Sequence, residues 1–124
     1  MNRPFDIAGR IRSFRYAFRG LSAMVKSQHN AWIHALATIL VCAAGIFWRI
    51  TREEWCWVIV SIMAVWTAEA LNTALEFLAD ASNPNFHPLV GKAKDVAAAA
   101  VLISAMGAAV IGILVFGPYL ARMR

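Results

Sequence analysis

The sequence predicts an all-α membrane protein: one amphipathic helix on the membrane surface followed by three transmembrane helices. Three observations predict it. The chain of 124 residues is 60% hydrophobic with a mean hydropathy of +0.60, whereas soluble domains hold about 45–50% apolar residues. A soluble fold of this size buries only about two thirds of its surface, too little to hide so much apolar side chain. The apolar residues are also gathered into three long runs, and half of the Lys and Arg residues precede the first of them.

The surface helix is expected over residues 10–26. Ile11, Phe14, Phe18, Leu21 and Val25 recur at three- and four-residue steps, which puts them on one helical face. Arg12, Arg15, Arg19 and Lys26 follow one position later as a basic flank. Such a helix rests its apolar side in the acyl boundary and turns its arginines to anionic headgroups. The net charge of +5 and the pI near 9.9 thus point to a membrane surface and not to nucleic acid.

Spans are expected over 31–48, 55–78 and 96–120, each near the ~20 residues needed to cross the hydrocarbon. The first begins and ends near tryptophans, and the third is rich in Ala and Gly. Small residues let helices approach closely, so the third run is the expected centre of a tight bundle. Arg3, Arg10, Arg12, Arg15, Arg19 and Lys26, with Lys92 and Lys94 of the 79–95 connection, put eight basic residues on one side. Arg49, Arg52, Arg122 and Arg124 make four on the other. The positive-inside rule then puts the N-terminus and the 79–95 connection in the cytoplasm. Length allows one domain, 1–124, with no separate soluble module. The first 30 residues show no secretory signal. Cys42 and Cys56 form no CxxC pair and are expected to be small buried apolar residues.

Chemistry is concentrated in the second span. Glu69, Asn72, Glu76 and Asp80 are spaced to lie on one stripe of a helix otherwise apolar. Charge deep in a bilayer is costly, so the stripe is expected to face the bundle interior. A polar packing seam would be the bland explanation, but it needs the asparagine and not two acids beside it. Glu69 and Glu76 would stand about 10 Å apart along the axis, too far to share a proton or a metal. Glu76, nearer the cytoplasm, suits a Mg²⁺ that bridges phosphates. Glu69, deeper and drier, suits a general base for a lipid hydroxyl. Beyond Asp80, Asn83-Pro84 and His87-Pro88 are turn and helix-start signals. On spacing alone His87 reads more readily as a surface or capping histidine than as a ligand. Lys94 is the natural cation for a phosphate, and Asp95 reads either as a first-turn acid on the helix dipole or as part of the site. No Walker or GxGxxG loop is present.

These residues resemble the prokaryotic integral-membrane diacylglycerol kinase family, which includes the undecaprenol kinases. The resemblance runs over about residues 9–119. It is carried by Glu69-Ala-Leu-Asn72-Thr-Ala-Leu-Glu76, Asp80, Phe86-His87 and Ala93-Lys94-Asp95-Val-Ala-Ala. It implies an ATP-dependent lipid kinase that works as a homotrimer in the bacterial cytoplasmic (inner) membrane, with sites between subunits. It further implies Glu69 as the base, Asn72 as an organising catalytic residue and Glu76 as the Mg²⁺ ligand. Arg10, Tyr16, Glu76, Asp80, His87, Lys94 and Asp95 match the ATP-binding positions. The Ile33-His34, His87-Pro88 and Phe116-Gly-Pro-Tyr119 segments favour undecaprenol over diacylglycerol as the lipid alcohol. Gln28 stands where the family usually has a metal-binding glutamate, and an amide carbonyl is a neutral ligand. Weak coordination by Gln28, compensation by His29 and a single-ion site are the readings open. The alternative from another class is a non-enzymatic bundle using its buried acids as a proton or ion relay.

Overall fold

The protein, described here by a computed structural model over residues 6–123, folds as four helices: α1 (Ile7–Ser27), α2 (His29–Trp48), α3 (Arg52–Ser82) and α4 (Pro88–Ala121). No strand occurs among the described residues. Arg3 and Arg124, counted above for orientation, lie outside them. α2, α3 and α4, of 20, 31 and 34 residues, are each long and apolar enough to cross a membrane. On α1, Ile11, Phe14, Phe18 and Leu21 are exposed, as a face that rests on lipid requires, and only Met24 is buried against the spans.

The helices outrun the apolar patterns that predicted them. α3 continues through Ala79-Asp80-Ala81-Ser82, and α4 starts at Pro88, eight residues before the apolar run. The expected 79–95 connection is therefore only residues 83–87. His87 caps α4, its Nδ1 accepting the Leu89 N–H at 3.2 Å, and Pro88 fills the first position, where a missing N–H costs nothing. Asp95 is thus not in the first turn of α4, which contains no acid.

At the other end the chain reverses within three residues. Arg49 takes the left-handed conformation (φ 53°) and the Ile50 N–H returns to Gly45 O. Thr51 then caps α3 reciprocally: its Oγ accepts the Glu54 N–H, and Glu54 Oε2 accepts the Thr51 N–H. Gly45 has to be glycine, because a Cβ there would stand 2.7 Å from the Trp55 ring.

α3, not α4, is the central helix of the chain, packing against each of the other three. Gly107, Gly112 and Gly117 of α4 face open space. α3 and α4 run antiparallel and touch through side chains near both ends, Lys94 Nζ donating to Asp80 Oδ1 at 3.0 Å and Tyr119 Oη donating to Glu54 Oε2 at 2.7 Å, the second a fastening. The apolar core, Ile50, Val58, Val115 and Phe116, sits beside this fastening, with Trp48 and Trp55 packed on it. The polar stripe of α3 runs toward the first contact. Cys42 is half-buried, but Cys56 is exposed on the outer face, contrary to the expectation that both are covered.

Candidate active site

The stripe on α3 passes from dry to wet. Glu69 is 0% exposed, Asn72 5%, Glu76 half-buried, and the Asp80 side chain 70% exposed. The expectation that these residues turn inward is met for the deeper three, and the fourth emerges beyond the packed surface. α2 runs antiparallel along this stripe. As the chain rises from Gln28, just before α2, through His34 and Thr38, the partner on α3 falls through Glu76, Glu69 and Trp66.

Two separate polar groups result. In the upper one Gln28, the single residue between α1 and α2, donates from Nε2 to Glu76 Oε2 at 2.8 Å. Asn72 Nδ2 donates to Glu76 Oε1 at 3.0 Å, one helical turn away. In the lower one His34 Nε2 lies 3.3 Å from Glu69 Oε2. The backbone carbonyl of His34 accepts the Thr38 hydroxyl at 2.7 Å, and that hydroxyl accepts Trp66 Nε1–H at 3.0 Å. The Trp66 ring meets the imidazole edge-to-face, centroids 6.3 Å apart.

Two acceptor oxygens in this buried layer have no hydrogen-bond partner: Glu69 Oε1 and Asn72 Oδ1. Leaving a buried polar atom unmatched costs about 1–3 kcal/mol, more for a charged group. A structural seam would be expected to satisfy both. Each oxygen keeps an unused lone pair that a partner would satisfy: a hydroxyl at Glu69 Oε1, a cation or a donor at Asn72 Oδ1.

Above the stripe, Asp80, His87, Lys94 and Asp95 line one groove of about 360 Å³ between the end of α3, the 83–87 turn and the start of α4. Four residues chosen from the sequence as nucleotide-binding are thus brought together. Lys94 is engaged by Asp80, so its charge is held in place within the groove. Arg10 and Tyr16 lie exposed on α1 and do not line it. Tyr16 carries the Arg19 guanidinium over its ring at 5.9 Å.

Among the described residues no three His, Cys, Asp or Glu side chains gather as a metal site. The oxygens present are the Glu76 carboxylate and the amides of Gln28 and Asn72. One carboxylate with neutral oxygens fits Mg²⁺ that arrives on phosphates, since this ion keeps few protein ligands. It does not suit an ion held by protein alone. His34 was noted in the sequence only as a branch marker, and its contact with Glu69 was missed. Folding the chain about the 49–51 reversal sets position 34 opposite the region of 66–69, and that was the available signal.

A buried carboxylate with an unpartnered oxygen below a groove with a held lysine, at one end of a bundle of membrane-span-like helices, is compatible with phosphoryl transfer to a membrane component. Residues 15–116 match the family described as prokaryotic diacylglycerol kinase. The chain belongs to that family and is a lipid kinase. It is 35% identical to the undecaprenol kinase of Bacillus subtilis over 109 residues, 88% of this chain and 89% of that protein. It is 34% identical to the diacylglycerol kinase of Synechocystis sp. over 90% of this chain and 65% of that longer protein. It is 33% identical to the diacylglycerol kinase of Escherichia coli K12 over 76% of this chain and 77% of that one.

Proposed function

We propose that this chain transfers the γ-phosphoryl group of MgATP to the hydroxyl of a membrane lipid alcohol, undecaprenol ahead of diacylglycerol. The observation that carries the reading is Glu69 Oε1: buried, unpartnered, and on the same stripe as the Asp80–Lys94 groove. In this reading the lipid hydroxyl gives its proton to Glu69 Oε1 as its oxygen forms a bond to the γ-phosphorus. The bond from that phosphorus to the bridging oxygen breaks, and ADP leaves with the electron pair. Lys94, with His87 and Asp95 beside it, holds the phosphates from above, and Arg10 and Tyr16 of α1 close the nucleotide side from a neighbouring copy. Glu76, Gln28 and Asn72 would hold Mg²⁺, which when bound spreads the phosphate charge. Catalysis is then mainly positioning and charge neutralisation.

Support for undecaprenol comes from the Bacillus subtilis relative, which is matched over nearly its full length. Support for a homotrimer comes from the separation of Tyr16 from the groove within one chain. The Lys and Arg distribution supports a cytoplasmic N-terminus at the bacterial inner membrane. A proton relay is disfavoured, because α3 has no carboxylate between Glu54 and Glu69, a gap of about 22 Å. The test is transfer of label from γ-labelled ATP into extracted lipid, using purified protein in vesicles with a long polyprenol or a diacylglycerol. Label in the polyprenol phosphate is expected; label in neither lipid from intact protein would overturn the reading.

A further inference from the structure

We infer that His34 is a positioning residue for the reaction: it binds one oxygen of Glu69 and so fixes the other, Oε1, as the atom that receives the substrate proton. The inference rests on the proposed role of Glu69 and adds a residue to it. A general base has to be ionised before it acts, and an ionised carboxylate only accepts hydrogen bonds, so in that role the His34 nitrogen 3.3 Å from Oε2 donates.

The geometry is built for this from three directions. The imidazole is 14% exposed and the carboxylate 0%. Its ring is braced by Trp66, which is on the same face of α3 as Glu69, three residues earlier. The backbone behind it is tied through the Thr38 hydroxyl to Trp66 Nε1. Ring and carboxylate are therefore held by the same pair of helices, and movement of one without the other breaks the brace. Without His34 both carboxylate oxygens would be unmatched in a dry layer, where an isolated ionised carboxylate is very costly. The group would turn to whatever donor it could find.

The proton path follows. The lipid hydroxyl proton goes to Oε1, and the imidazole neither gives nor takes one. After the phosphorylated lipid departs, that proton is lost to water and the carboxylate is restored, still held at Oε2. His34 acts through Glu69 and does not touch the phosphate.

The test uses full-length protein in vesicles with MgATP and a polyprenol, comparing wild type, His34→Leu, His34→Gln and the far-end control Tyr119→Phe. His34→Leu is expected to lower kcat between about tenfold and a hundredfold, the loss of one hydrogen bond to a charged group. KM for MgATP should stay in place. His34→Gln, which can still donate to Oε2, should recover most of kcat. Unchanged kcat in His34→Leu, an equal loss in His34→Gln, or a loss matching that of an equally destabilised Tyr119→Phe would overturn the inference. A second measurement does not depend on the His34 variants folding: the ¹⁵N resonance of His34 Nε2 in otherwise intact protein should shift on Glu69→Gln. No shift would also overturn it. A wild type that transfers no phosphate refutes the kinase reading instead, so the two failures are distinguishable.

Discussion

Gln28 and Glu76, 48 residues apart, meet through one hydrogen bond of 2.8 Å that joins the break between α1 and α2 to the middle of the polar stripe on α3. The amide donates to an oxygen that a cation would otherwise share. Of the residues raised for this position, Gln28 is the one bonded to Glu76, and no side-chain bond places His29 there among the described residues.

Gln28→Glu would set two carboxylates against each other at this point. With chelator present the variant should lose about 1–3 kcal/mol of stability, the cost of an unmatched buried group. Added Mg²⁺ should restore it, whereas the wild type should respond little. Thermal unfolding with and without Mg²⁺ checks this, and an unchanged profile would show that position 28 has no bearing on the ion.

Glu69 and Glu76 lie in separate polar groups, so their substitutions should fail differently. Glu69→Gln should lower kcat by about 10²–10⁴-fold, the usual worth of a general base, with KM for MgATP retained. Glu76→Gln should raise the Mg²⁺ concentration needed for half-maximal rate. Intact turnover in the first and none in the second would reverse the roles.

Lys94 and Asp80 are both substantially exposed, and an ion pair of that kind adds little to stability. Lys94→Met should therefore leave the unfolding midpoint nearly unchanged while raising KM for ATP. A large drop in the midpoint with an unchanged KM would make the pair a fastening and nothing more.

Tyr119→Phe removes the fastening at the opposite end, where Glu54 also serves the α3 cap. The unfolding midpoint should fall and kcat should not. A matching loss of kcat would mean that the far end of the hairpin reaches the site.

The stripe from Glu69 to Asp80 could be read from the sequence because helical period alone fixes which residues share a face. The ends of the helices could not. Apolarity marks where lipid begins, but Ala79–Ser82 and Pro88–Asp95 stay helical beyond it through local hydrogen bonding and the His87 cap. Asp95 was misplaced for that reason. His34 against Glu69 was missed for another: counting back from the reversal brings position 34 only to the region of 66–69, and the exact register rests on the left-handed turn at Arg49, which no apolar pattern encodes.

The apolar run of α4 begins at Val96, so its residues Pro88–Asp95 add about 12 Å of helix before the hydrocarbon starts. The hairpin thereby raises a ledge into water while its lower wall stays in oil. In the proposed reaction the lipid alcohol would need only to drift sideways to meet its reagent, and a soluble triphosphate would need only to land. Neither would have to change solvent.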